Sequence, residues 1–360
     1  MHRLSLGGRS LLYSESRQKL YELNETADLI WRGLIGGQSA AAAAHRLCGL
    51  GVPAEAADAF VRDAIRAWSL EGHILPASAA SRLAGAPAAV RTVVLDELHV
   101  ALAFHGGASP QACDAVFGHL WGDAATRPQR LTALGHGELV FLLREARALG
   151  ACAPDDLPAL VKAALTEAYV AAAGEGFVAH GAFLTRGRAA LMLAGEPGAG
   201  KTTLALALAA SGWAYGGDDI VRFDGGGLAR GVPFAGALKP GAWDLAERFA
   251  PGVADLPTAV RGDGQSVRYW RPAKLAPREP RPLTAFVVLA RAPGAAARLE
   301  PIDAVEALQT LLSGAYAESR RLPGETLAAL ATRLDGACCA RLIYEDLTQA
   351  AALLERLADA

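Results

Sequence analysis

Residues 195–202, GEPGAGKT, match G-x-x-x-x-G-K-[ST], a spacing that lets a backbone wrap around phosphate. Gly195, Gly198 and Gly200 allow the chain to curl so that its N–H groups point inward. The helix expected to begin near Lys201 adds its positive end. Lys201 is long enough to reach the β- and γ-phosphates of a nucleotide, and the Thr202 hydroxyl is placed to coordinate Mg²⁺. The whole loop, Gly195, Glu196, Pro197, Gly198, Ala199, Gly200, Lys201, Thr202 and Thr203, is the expected nucleotide site, with ATP and Mg²⁺ as its ligands. Downstream, Asp218 and Asp219 in YGGDDIV end the strand that follows the loop helix. Adjacent carboxylates on a strand face opposite sides, so one suits a metal and the other the proton of an attacking hydroxyl. His180, in AHGAF, lies on the strand before the loop strand, from which it could orient an aspartate or hold a proton.

These residues need an α/β frame. FVAHGAFLTRGRAALMLAG reads as two strands across a turn at residues 185–188, the second running into the loop. TTLALALAASG is a helix ending at Gly212, WAYGGDDIVRF is the next strand, and LTAFVVLAR and CARLIYED are later ones. Helices are expected near 303–316, 325–333 and 346–358. Between residues 90 and 173, VRTVVLDELHVALAF looks like a strand pair followed by mostly helical material. Residues 77–89, ASAASRLAGAPAA, are small and bury little, and read as a linker. Residues 1–76 differ again, with three short strands (LSLGG, SLLYSES, KLYELN) and then three helices. Asn24 is an expected N-cap. Phe60, Val61, Ala64, Ile65 and Trp68 share one face of the last helix.

The formal net charge of −2 gives no basic footprint for nucleic acid. No apolar run is long or unbroken enough for a membrane span, and no secretory signal opens the chain, so a cytoplasmic protein is expected. The five cysteines include no C-x-x-C pair, which fits reduced thiols. Arginine outnumbers lysine 30 to 5, which sets each lysine apart.

HGAFL, GEPGAGKTT and GGDDIV, in that order, resemble the catalytic domain of the HPr kinase/phosphorylase family and its related serine kinases. His180 lies 21 residues before Lys201 and Asp218 lies 17 after it. The resemblance implies a P-loop kinase fold over residues 90–360, with Asp218 as the base for an acceptor serine, His180 beside it, and Asp219 supporting Mg²⁺. Lys239, in PFAGALKPGAW, and Arg320-Arg321 are further candidates for phosphate or substrate. The chain departs from that family at residues 225–240, GGGLARGVPFAGALKP, where no E-I-R-G-L-G-like stretch occurs. The resemblance therefore carries the nucleotide site, and not HPr as acceptor, the reverse reaction or the family's hexamer. It leaves a homo-oligomer open.

LYELNETADLIWRGLIGG resembles the PqqD-like family, small domains that recognise precursor peptides of ribosomally made natural products. Leu23-Asn24, Thr26-Ala27, Ile30-Trp31 and Gly36 match its motif. This implies a winged-helix-like α+β domain over residues 1–76. A leader peptide would add a strand beside Lys19, Leu20, Tyr21, Glu22 and Leu23, with Arg62 and Arg66 drawing acidic residues. Together the two resemblances imply an ATP-dependent kinase for a Ser or Thr of a precursor peptide, a lasso-peptide precursor being one acceptor. The alternatives are a nucleotide-gated peptide carrier and a kinase for another protein or small molecule.

Overall fold

A computed structural model describes residues 1–14, 19–123, 127–174, 176–316 and 322–359. The chain divides into two compact units. One comprises Met1–Val90, Leu102–Ser109 and Arg130–Pro154; the other comprises Arg91–Ala101, Pro110–Gln129 and Asp155–Ala360.

In the first unit β1 (His2–Leu6), β2 (Arg9–Ser14) and β3 (Lys19–Leu23) form an antiparallel meander in the order β1-β2-β3. Three helices follow, α1 (Glu25–Ile35), α2 (Ala40–Cys48) and α3 (Ala54–Leu70). Strand alternation turns Leu12 and Leu23 inward, onto Ile30, Trp31, Leu47 and Trp68. The Asn24 side chain caps α1, accepting from the Ala27 N–H at 2.8 Å. Arg3 holds β1 to α1 through Asp28, with Nε 2.6 Å from Oδ1 and a second bond of 2.9 Å to Oδ2. On α3, Val61 and Trp68 are buried, but Phe60 is 47% exposed. It falls about 100° round the helix from Val61, at the rim of the apolar stripe. The stretch read as a linker is ordered: α4 (Ala77–Ala80) buries Ala79 completely beside Leu134 and Phe141.

The chain continues as a hairpin of β4 (Ala89–Leu95) and β5 (Leu98–His105), then α5 (Gln111–Phe117). Beyond it the expectation of helix fails. Residues 129–152 form β6 (Gln129–His136), β7 (Leu139–Arg144) and β8 (Arg147–Cys152), paired antiparallel. Leu, Ala, Glu and Arg favour helix intrinsically, but two-residue turns at Gly137-Glu138 and Glu145-Ala146 override them, with Gly137 and Glu145 at positive φ. A run of buried apolar residues such as 140–143 carries no period that separates helix from strand.

In the second unit, α6 (Leu157–Ala171) leads to β9 (Phe177–His180), β10 (Ala182–Arg186), β11 (Ala189–Ala194) and α7 (Lys201–Ala210). Then come β12 (Ala214–Gly217), β13 (Ile220–Phe223), β14 (Ala229–Gly231), β15 (Gly236–Leu238) and α8 (Trp243–Glu247). The remainder is β16 (Thr258–Val260), β17 (Ser266–Trp270), β18 (Ala285–Arg291), β19 (Arg298–Pro301), α9 (Ala304–Ser313), α10 (Gly324–Asp335), β20 (Cys338–Tyr344) and α11 (Leu347–Asp359). The six-stranded sheet runs β12-β10-β11-β18-β20-β19, with β11, β18 and β20 parallel. Alternation along β11 sends Leu191 and Leu193 to α7 and α11, and Ala190 and Met192 to α9 and α10, so helices cover both faces. The fold is mixed α/β. No helix among the described residues is long and apolar enough to cross a membrane.

Two segments expected to be single strands are broken, and the breaks make the site. Residues 177–186 split at Gly181, and residues 214–223 split at Asp218-Asp219. β10 and β12 stay in the six-stranded sheet, while β9 and β13 pair with each other in a second sheet, β14-β13-β9. The two aspartates therefore lie in a bend and do not alternate across a strand. The crossing is tightest at Gly217, where a Cβ would run into the Val232 carbonyl; at Gly181 a Cβ would stand 3.0 Å from the Leu193 carbonyl oxygen. Gly217 also has φ +134°, open in practice only to glycine. Gly217→Ala is expected to destabilise the protein by roughly 1–3 kcal/mol or more, read as a lowered midpoint in thermal unfolding.

Candidate active site

The phosphate loop joins the C-terminal end of β11 to α7. Gly195, Gly198 and Gly200 have φ of +139°, +89° and +97°. A Cβ on Gly198 would meet nothing within 4 Å, whereas one on Gly200 would run into Tyr344 Oη. That hydroxyl donates to the Ala199 carbonyl at 2.7 Å and ties the loop to β20. Burial pushes the Tyr344 phenol up to about 12, which keeps it a donor. Lys201 donates from Nζ to the carbonyls of Gly195 at 2.7 Å and Glu196 at 3.2 Å. Burial lowers its ammonium below the ordinary lysine range, against the pull of Asp219, Glu196 and Asp218. Three left-handed glycines, a helix N-terminus and a buried lysine fit a polyphosphate. Glu196, Pro197 and Gly198 are exposed, and Thr202 and Thr203 face the same cavity as Lys201.

That cavity, of about 950 Å³, lies within the second unit and is also lined by Asp218, Asp219, His180 and the exposed Lys239. The aspartates differ in surroundings. Asp218 is 4% exposed, and its Oδ1 accepts from the Tyr215 hydroxyl at 2.9 Å. His180 was expected beside Asp218 and meets Asp219 instead. Its Nδ1 lies 3.0 Å from Asp219 Oδ1 and 2.9 Å from the Asp219 carbonyl. Both partners only accept, so Nδ1 carries the proton. The reason lies in the register, because His180 pairs with Ile220, the residue after Asp219. Asp219 was also expected at the metal, yet its other oxygen faces Lys162 Nζ at 3.4 Å.

Lys162 was not among the residues expected at the site. It projects from α6, 8% exposed, with the rings of Phe234 and Tyr269 5.8 and 5.9 Å from its nitrogen. Burial works against both charges of this pair. The Lys162 charge, with His180, still holds the Asp219 carboxyl far below its usual range, and Asp219 with Asp218 holds the Lys162 ammonium above its own. The scarcity of lysine was the one trace of it in the sequence. The α6 residues Ala159, Lys162, Ala163, Thr166, Glu167 and Val170, spaced by three or four, form one wall of the cavity.

Among the described residues no three His, Cys, Asp or Glu side chains cluster for a metal. A divalent cation here would have few protein oxygens, which suits Mg²⁺ carried on nucleotide phosphates. Of the peptide-capture residues, Lys19, Leu20 and Glu22 are exposed on β3, an outer strand of its sheet, and Leu23 is buried. Tyr21 is half-buried, its hydroxyl 3.3 Å from Glu71 Oε2. Arg62 is exposed, and Arg66 lies 4.0 Å from Glu138. Arg320 and Arg321 lie outside the described residues.

No protein-family model matches the chain, and no curated protein matches it. Among solved structures it is similar to the Hpr(Ser) kinase/phosphatase from Coxiella burnetii, at 14% identity over 51% of this chain and 93% of that one, with a TM-score of 0.23. A TM-score of that size carries no weight for fold or activity. Gly200→Ala and Lys201→Met are each expected to weaken ATP–Mg²⁺ binding about tenfold or more in calorimetric titration, the first by displacing Tyr344 and the second by removing a charged donor.

Proposed function

We propose that the chain is an ATP-dependent phosphotransferase acting on a hydroxyl group, with a Ser or Thr of a precursor peptide as acceptor. The observation that carries this reading is one cavity bearing both the phosphate loop and the Asp218, Asp219, His180 and Lys162 cluster. A nucleotide loop that also serves Mg²⁺ needs one carboxylate across from it; here a second carboxylate, a histidine and a lysine accompany it. The acceptor oxygen bonds to the γ-phosphorus as the bond to the ADP oxygen breaks, and Asp218 takes the acceptor's proton. The Tyr215 hydroxyl holds Oδ1 of Asp218, which leaves Oδ2 for that proton. Lys201 meets the charge of the β- and γ-phosphates. The Thr202 hydroxyl would hold Mg²⁺ bound with the nucleotide, which would supply charge neutralisation at the phosphates. Asp219, with a nitrogen at each oxygen, anchors His180 rather than the metal.

The first unit supports a peptide acceptor. β3 pairs with β2 alone among the described strands, the outer position that strand addition requires, and Leu20 on it is 57% exposed. A captured leader would raise the local concentration of its own hydroxyl at the site.

Asp218→Asn is expected to abolish transfer while changing ATP affinity by less than about threefold, since the loop is untouched. Mass spectrometry of a short peptide encoded beside this gene, after incubation with ATP and Mg²⁺, reads the transfer. Phosphorylation at the wild-type rate in the variant would remove Asp218 from the role of base. Leu20→Lys is expected to weaken binding of that peptide without altering ATP affinity; equal affinity in both proteins would remove β3 as the capture edge.

A further inference from the structure

Lys162 is the buried charge that the reaction as described leaves unused. Its helix is apolar on nearly every side, with Leu157, Val161, Leu165 and Val170 all buried. A lysine among Phe234 and Tyr269 is a poor choice for stability alone, because an apolar side chain of similar length would avoid the cost of desolvating an ammonium. Three contacts give it another purpose. Its nitrogen faces Asp219 Oδ2 at 3.4 Å, Asp219 Oδ1 faces His180 Nδ1 at 3.0 Å, and the Asp219 carbonyl accepts from the same ring nitrogen at 2.9 Å. The carboxylate is thus gripped from opposite sides by groups on two different elements, α6 and β9. It lies in a bend, where no strand pairing fixes its side chain.

We propose that Lys162 is a positioning residue for phosphoryl transfer, clamping Asp219 and, through it, holding the His180 imidazole with Nδ1 bound and Nε2 turned to the cavity. The proposal rests on the transfer reading above. Without the lysine, Asp219 Oδ2 loses its cation, and the imidazole keeps its bond to the Asp219 carbonyl but shares Nδ1 with a carboxylate held on one side only. The phosphate loop is held by Tyr344 and the Gly195 carbonyl, neither of which involves Lys162. The loss should therefore fall on turnover and spare nucleotide affinity.

The test compares Lys162→Met, which keeps length and removes charge, with Lys162→Arg, which keeps charge, in the full chain. Transfer from radiolabelled ATP to the peptide used above should show kcat lowered about 100-fold in Lys162→Met, with KM for ATP unchanged and much of the rate restored in Lys162→Arg. Independently of activity, ¹⁵N-histidine NMR should show the Nδ1–H signal of His180, assigned by its loss in His180→Gln, in wild type and Lys162→Arg but displaced or broadened in Lys162→Met. Wild-type kcat with an unmoved His180 signal in Lys162→Met would overturn the proposal. So would a parallel loss of kcat, ATP affinity and thermal stability, which marks a structural lysine only. If wild type transfers no phosphate, the kinase reading fails, and the NMR comparison still decides whether Lys162 holds His180.

Discussion

Two segments of the chain leave one sheet together and enter another, and everything at the site depends on that crossing. β9 and β13 pair in the small sheet while β10 and β12, their continuations, pair in the large one. A polar backbone cannot change sheets in a buried region without finding partners for its N–H and C=O groups. Here the His180 N–H donates to the Gly314 carbonyl at 2.8 Å, and the Asp219 carbonyl accepts from the His180 ring. The crossing is thus closed partly by side chains that also carry chemistry. It places His180 and both aspartates beyond the end of β11, next to the phosphate loop. Parallel strands with helices on both faces commonly present ligands at that edge. The glycines at 181 and 217 allow a close approach of backbone, and their consequence is electrostatic. They bring a histidine and two carboxylates into one bend.

Burial then separates the two aspartates. Asp218 is anchored by a neutral phenol, which orients an oxygen without neutralising it. Asp219 is anchored by a lysine and a histidine, which hold it ionised and occupied. A carboxylate held far below its ordinary range is a weak proton acceptor, which leaves Asp219 an anchor, while Asp218 keeps one oxygen with no cation beside it among the described residues. Adjacent residues of one type thus acquire different work from their neighbours alone.

How much of this was legible in the sequence follows from the range of each requirement. The phosphate loop was legible because its geometry is local. Three left-handed positions demand glycine, and glycine spacing is visible in a string of letters. The Asn24 cap was legible for the same reason. The pairing of His180 with Asp219 was not, since it depends on where two strands break and on a register between residues 40 apart. The strands of residues 129–152 were hidden by helix-favouring composition, which two tight turns override. Lys162 was hidden differently. A single lysine in an apolar helix looks like a solvated side chain until its helix is packed.

The two buried lysines of the cavity show why the packing matters to function. Both are desolvated, but they respond in opposite directions. Lys162 has a carboxylate at 3.4 Å, and its ammonium is stabilised above the ordinary value. The near partners of Lys201 are the neutral carbonyls of Gly195 and Glu196, and its ammonium is destabilised below that value. A buried cation balanced from within the chain acts as a strut. A buried cation held only by carbonyl dipoles has electrostatic energy to gain from an anion supplied from outside, and charge-assisted bonds are roughly twice as strong as the neutral ones they replace. The α7 helix begins at Lys201 itself, so a helix N-terminus lies at the same place. Among the described residues, the chain thus leaves a buried cation without a carboxylate partner at the phosphate loop, and it pairs the one beside Asp219.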